Sequence, residues 1–235
     1  MQLPLGDDPR TETLRALHAS LIARFGRIVR PPEKRREPVW VLVQGVIGAR
    51  SKTAVSNAST DFLLEHYGSW DAVAKAPLEE LTAHLARQTF PEQSARRLKD
   101  CLLAIAEKRG KLDLSLLGDM PTAAAMEWLE TLPGVARKNS AGVMNTSTFD
   151  RSALVIDGHH RRVMQRMGLV PARADTTRAY DELMPVLPPE WSAQDMDEHH
   201  LLVKKLGQTY CRPSRPDCTA CLARGICQTG RGLSP

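Results

Sequence analysis

The 235-residue chain has no run of about 18 apolar residues, the length a helix needs to cross a bilayer. Its opening segment, MQLPLGDDPR, lacks the apolar stretch of a secretory signal. The expectation is a cytoplasmic protein with no membrane partner, nucleoid-associated if its source is bacterial. Sustained strand alternation is also missing, the best stretch being residues 153–156. Low-complexity segments and repeats of solenoid length are absent too. Charge of one sign is not abundant: Lys plus Arg outnumber Asp plus Glu by 32 to 27, giving +5 and a pI near 9.1. That mild basic bias suits a polyanionic partner without establishing one. Of five cysteines only Cys101 lies outside one C-terminal group, and within residues 94–108 it reads as a buried apolar residue rather than a nucleophile.

What the chain does have is helical periodicity. Leu14, Leu17, Leu21 and Phe25 recur at helix spacing and predict a first helix ending near Gly26. Residues 30–38 (RPPEKRREP) read as an exposed basic linker, and the apolar segment 39–47 as a central buried helix. Further helices are expected over residues 57–67, 70–76, 78–87, 94–108 and 122–132, with Ser69, Pro77 and Pro121 at starts that favour a cap or a first-turn proline. The fold class is all-α. The pattern alone allows two domains or one bundle.

Cys211, Cys218, Cys221 and Cys227 are spaced C-x6-C-x2-C-x5-C. Without a secretory signal, such a quartet points to a metal site rather than a disulfide framework, since four thiolates can close one tetrahedral shell or hold one iron-sulfur cube. Only Cys218 and Cys221 form the short knuckle usual in zinc sites, so the spacing leaves zinc and iron-sulfur both open.

About 70 residues upstream, LPGVARK (residues 132–138) looks like a turn between two helices, with Lys138 at the start of the second, and Asp157 follows one helix later. Amides at such a helix start can bind a phosphate without reading sequence. The plainer alternative is an ordinary helix connection. Hairpin, lysine, aspartate and cysteine quartet in this order resemble the endonuclease III family of DNA glycosylases, over residues 12–228.

The resemblance implies a two-lobed helix-hairpin-helix glycosylase fold: a six-helix barrel domain over residues 30–150, and an iron-sulfur domain from residues 1–29 and 151–235. It implies a 4Fe-4S cluster on Cys211, Cys218, Cys221 and Cys227. It further implies that Lys138 attacks C1′ of a damaged nucleoside, expels the base and forms a Schiff base through which the 3′ phosphate is eliminated. Only the free amine can attack, so burial or a cation such as Arg137 must lower its pKa. Asp157 would stabilise an ammonium, so its expected roles are to take a proton from the amine or to stabilise positive charge on the sugar. The plainer alternatives are a phosphate-binding lysine and a helix N-cap.

Candidate DNA contacts are Gly134, Ala136 and Arg137 at the hairpin, Arg50 and Phe90 in two loops, His159 beside Asp157, and Arg212 and Arg215 between the first two cysteines. His160 and Arg161 continue the His159 turn. Arg50 or a neighbour and Phe90 are placed to fill the gap left by a flipped base, although packing of Phe90 onto the next helix fits equally. The histidine doublets at 159–160 and 199–200 place side chains about 100° apart on a helix and predict no second metal site. Three positions depart from the family pattern: Ala49 stands where glutamine is expected, Lys52 where aspartate is expected, and Ala136 in place of a second glycine. A left-handed backbone at Ala136 would cost about 1 kcal/mol.

The expected function is therefore base-excision repair by a glycosylase and abasic-site lyase. It would act as a monomer on double-stranded DNA with damaged bases or abasic sites, by default on oxidised pyrimidines. Alternatives are a divergent member acting on an alkylated or deaminated base or on abasic sites alone, and a non-catalytic DNA-binding module. The adenine-removing mispair branch fits less well, because it lacks the lysine and this sequence stops at Pro235 without a mismatch-reading domain.

Overall fold

A computed structural model describes residues 8–232. Residues 1–7 and 233–235, at the extremes of the expected iron-sulfur domain, lie outside the described residues. The helices in chain order are α1 (Pro9–Phe25), α2 (Pro38–Ile47), α3 (Thr53–Tyr67), α4 (Trp70–Lys75), α5 (Leu78–His84), α6 (Pro91–Arg109), α7 (Thr122–Glu130), α8 (Arg137–Thr146), α9 (Gly158–Met167), α10 (Thr176–Leu183), α11 (Ala193–Thr209) and α12 (Gln228–Arg231). The fold is all-α. Among the described residues there is no strand, only an isolated bridge between Arg36 and Ser147. Residues 153–156 form a buried connector instead of a strand. No described helix is long and apolar enough to cross a membrane. The chain divides into two compact units, Pro32–Arg151 and Met1–Pro31 with Ser152–Pro235.

In the central unit α2 is the apolar spine, with Val39, Trp40, Leu42, Val43, Val46 and Ile47 all buried. Its start is fixed by the segment that reads as a linker in the sequence. Pro38 occupies the first turn, where its missing N–H costs nothing. The Glu37 carboxylate caps the helix by accepting from Val39 and Trp40 amides at 2.7 and 2.8 Å, and it also takes the Trp70 indole N–H at 2.7 Å. Arg35 is buried, paired with Asp150 at 2.7 Å and donating to the Asn145 carbonyl at 2.6 Å. Arg36 pairs with Asp61 and covers the Trp40 ring. Residues 35–38 are therefore a structural clasp, whereas residues 32–34 are exposed as expected. Composition cannot distinguish a solvated arginine from one that meets a carboxylate far along the chain.

The second unit is built on leucines. Leu14, Leu17 and Leu21 of α1 pack with Leu154, Val163, Met164, Leu202, Val203 and Leu206. Helix α11 also buries Asp197 and Glu198. Such carboxylates persist only if paired, and Arg30 meets Asp197 at 2.9 Å while Arg27 meets Glu198 at 2.8 Å. Gly207 lets α9 come close to α11, since a Cβ there would lie 3.0 Å from the His159 Cβ.

Candidate functional site

The central unit holds the hairpin. Gly134 turns the chain at φ +76°, and a Cβ on it would make only ordinary contact with Arg97, so backbone angle selects glycine here. Ala136 is extended, at φ −122° and ψ 171°, which any residue adopts. Its departure from glycine therefore costs nothing. Helix α8 starts at Arg137 without a side-chain cap, and Lys138, half-buried, is its second residue. Arg137 is drawn into an ion pair with Glu130 at 2.7 Å, and Ser140 donates to the same carboxylate oxygen at 2.6 Å. Glu130 thus ties the end of α7 to the start of α8.

The same unit brings the two loop candidates together. The Thr89 hydroxyl donates to the Arg50 carbonyl at 3.0 Å, and the Ser51 hydroxyl accepts from the Thr89 amide at 2.9 Å. The Arg50 guanidinium then lies 5.9 Å from the centre of the Phe90 ring. Phe90 remains 39% exposed. Arg50 takes a left-handed backbone angle, φ 58°, unusual for arginine. Ala49, Arg50 and Phe90 border an open hollow of about 400 Å³ with Gln93 and Arg97. Gln93 and Arg97 escape the sequence reading, although both belong to the helix opened by Phe90. Arg97 also contacts the position of Gly134, so the hollow and the hairpin are neighbours. Lys52 stands at the N-cap of α3 without making a cap hydrogen bond.

In the other unit Asp157 is the N-cap of α9. One carboxylate oxygen accepts from the His159 and His160 amides, each at 2.9 Å, and Lys204 lies 3.8 Å from the other. Burial pushes this carboxyl up, but His200, the His160 amide and Lys204 outweigh it and hold it below the usual carboxylate range. Asp157 is therefore charged at neutral pH. His159 is half-buried, its Nδ1 3.1 Å from Arg162. His160 is fully buried between His199 and His200. Its side chain belongs to the core and does not reach out to DNA.

The far end of α9 anchors the cysteine loop. Arg162 donates to the carbonyls of Gly207 and Cys211, both at 2.8 Å. Arg166 donates to the Arg212 carbonyl at 2.7 Å and reaches the Cys211 sulfur at 3.3 Å. The Gly230 amide points to the Cys227 sulfur at 3.4 Å. Cys211, Cys218, Cys221 and Cys227 together line one partly open cavity of about 20 Å³, with Arg166 and Arg224 on its wall. Burial pushes the Cys218 and Cys221 thiols up, and repulsion from the other cysteines adds to it. Four thiolates are tolerated together only when a cation compensates them, so the donor set fits a thiolate-bound metal centre. Arg212 and Arg215 are exposed on the loop. Arg162 and Arg166, one turn apart on α9, went unread in the sequence; their i, i+4 spacing was the available signal.

Comparison with known proteins gives a consistent result. No family model matches the chain. The endonuclease III of Thermotoga maritima is 27% identical over 214 residues, covering 90% of this chain and 91% of that protein. The DNA glycosylase/AP lyase ROS1 of Arabidopsis thaliana is 24% identical over 198 residues, 79% of this chain but 14% of that longer protein. Among solved structures, a trapped covalent intermediate of an endonuclease III with DNA superposes at a TM-score of 0.75 and 23% identity, over 94% of this chain and 97% of that one. At that identity the likeness concerns the fold.

Proposed function

The chain belongs to the endonuclease III-like helix-hairpin-helix DNA glycosylases, and from that premise we infer that it excises damaged bases from duplex DNA and cleaves the resulting abasic site by β-elimination. The observation that carries the assignment of roles is Lys138 in the uncapped first turn of α8, directly after the Gly134 turn. The amides of that turn bind a phosphate of the damaged strand through the positive end of the helix. The neutral amine of Lys138 attacks C1′ of the flipped nucleoside, and the base leaves with the glycosidic electron pair. The attached nitrogen gives up a proton, the C1′–O4′ bond opens as the ring oxygen takes one up, and the iminium so formed acidifies the C2′ hydrogen. Its removal forms the alkene as the 3′ phosphate departs, and hydrolysis of the imine restores the amine.

Asp157 acts as a fixed anion. A carboxylate held below its usual pKa is a poor proton acceptor but a good electrostatic partner for positive charge developing on the sugar. Of its two expected roles, charge stabilisation is therefore favoured. Arg50 and Phe90, stitched side by side, fill the space left by the flipped base; a guanidinium over an aromatic ring offers a flat surface on which neighbouring bases stack. Arg212 and Arg215 hold phosphates from the cysteine loop, with His159 nearer Asp157.

The cysteine site suits a 4Fe-4S cluster bound by Cys211, Cys218, Cys221 and Cys227. N–H groups are aimed at two of the sulfurs, the kind of hydrogen bonding to sulfur that tunes such clusters. Such a cluster would supply a rigid anchor for the arginine-bearing loop. The substrate reading is oxidised pyrimidines, with a different lesion as the second reading because Ala49 and Lys52 depart from the family pattern in the recognition loop.

The test is borohydride trapping on duplexes carrying an abasic site or thymine glycol, with Lys138→Ala alongside. Adducts on both duplexes, lost in the variant, are expected. Trapping on the abasic duplex alone would redirect the search to other lesions. No adduct on either would overturn the lyase assignment and favour a DNA-binding module.

A further inference from the structure

On the central unit, away from the hairpin and the hollow, three metal-binding side chains converge from two helices. His66 is in the last turn of α3, and Glu80 and His84 lie one turn apart on α5. Their ligand atoms all lie within 4.8 Å of one another. The His66 Nε2 is 3.8 Å and the His84 Nε2 3.6 Å from the same Glu80 oxygen. A tetrahedral zinc shell with bonds of about 2.0–2.1 Å separates its donors by about 3.4 Å, so each imidazole needs to move only a few tenths of an ångström relative to the carboxylate, and the two imidazoles at most about 1.4 Å relative to each other.

Two further observations point to a ligand. The His84 Nε2 is buried and makes no hydrogen bond, although it faces the carboxylate. A buried ring nitrogen without a partner is costly, and a metal would satisfy it. The surroundings also hold the donors in place. The Tyr67 hydroxyl donates to the Glu80 oxygen at 2.8 Å, and Phe62 stacks on the His66 ring at 5.3 Å and lies 5.0 Å from His84. An oriented carboxylate and two restrained imidazoles lose little freedom when an ion binds.

We propose that His66, Glu80 and His84 form a binding site for a divalent transition metal, with zinc as its ion, that clasps α3 to α5. Two imidazoles and one carboxylate suit zinc and leave a fourth position for water. The site is independent of the cysteine quartet and of the glycosylase reading, since none of its ligands takes part in either.

The experiment is calorimetric titration of the full, cluster-loaded protein with zinc chloride after chelator treatment, beside a His66→Gln/His84→Gln variant. The wild type is expected to bind one more equivalent of zinc than the variant and to melt at higher temperature when zinc is present; the variant should show no such shift. Glu80→Gln, which keeps an acceptor for Tyr67, should weaken binding at least tenfold. Visible absorbance and iron content, followed throughout, separate this site from the cysteines. Equal zinc binding by wild type and double variant, or no saturable binding by either, would overturn the proposal. Circular dichroism of the variants excludes loss of fold as the cause.

Discussion

The guanidinium of Arg166 lies 3.3 Å from the sulfur of Cys211, and the helix that carries it begins at Asp157. One ten-residue helix therefore holds the charged cap at one end and the cysteine loop at the other. Arg166 also donates to the Pro213 carbonyl at 2.9 Å, so it grips the loop at several points.

Arg166→Ala should therefore loosen the cysteine loop. The expected cost is ~1–2 kcal/mol of stability, in line with loss of charge-assisted hydrogen bonds. Metal should be lost faster to a chelator, as read by absorbance and metal analysis. Arg166→Lys should not recover retention, because an ammonium cannot reproduce the guanidinium fork. Unchanged metal retention in both variants would show that the loop is held by its ligands alone.

Asp157→Asn separates the two uses of that side chain. Asparagine caps a helix about as well as aspartate, whereas alanine costs ~1 kcal/mol. Asp157→Asn should melt near the wild type yet lose about 10²-fold or more in base excision, because the fixed negative charge is gone. Asp157→Ala should lose both stability and activity. An asparagine variant with full activity would leave Asp157 only its cap.

Acid should destabilise the unit that buries the histidines. Burial, followed by repulsion from neighbouring histidines, holds His160 and His199 well below their usual pKa. Their folded pKa lies below the unfolded value of about 6.5, so the unfolded chain takes up protons first as pH falls. The stability they contribute is whole above about pH 6.5 and is lost below it, at ~1.4 kcal/mol per pH unit for each histidine. Denaturation midpoints at about pH 7.5 and pH 5 would measure this. Neither ring nitrogen of His160 has a hydrogen-bond partner, so His160→Leu should fold and show a shallower pH dependence.

Gly134→Ala should cost about 1 kcal/mol, because its φ of +76° disfavours any side chain. Ala136→Gly should bring no gain, since that backbone is extended already. Thermal melts with binding to an abasic duplex would check both. Equal melting of Gly134→Ala and wild type would mean that the turn readily adopts another angle.

How much was legible depends on the range of the interaction involved. The all-α class and the buried α2 follow from local periodicity, and the structure bears them out. The start of α3 at Thr53, four residues before the expected one, escaped because TAVS presents few apolar positions and Lys52 gives no cap. Arg35 and His160 were misread as exposed for a common reason: their surroundings are built from distant parts of the chain, Asp150 for one and α11 for the other. The C-x6-C-x2-C-x5-C spacing marks the cysteines that line one cavity, but the arginines beside them act on backbone carbonyls, which have no sequence identity to read.

The pairing of Arg27 with Glu198, 171 positions apart, also sets an order of events during synthesis. The first helix leaves the ribosome long before the helix it must pack against exists. The central unit, continuous in the chain, can fold in that interval, while α1 waits with its leucine face uncovered. The cysteines at positions 211–227 follow both α1 and α11 in the chain, so metal loading comes after both helices have been made. Until then, the newborn chain carries a sticky helix that other molecules in the cell can engage.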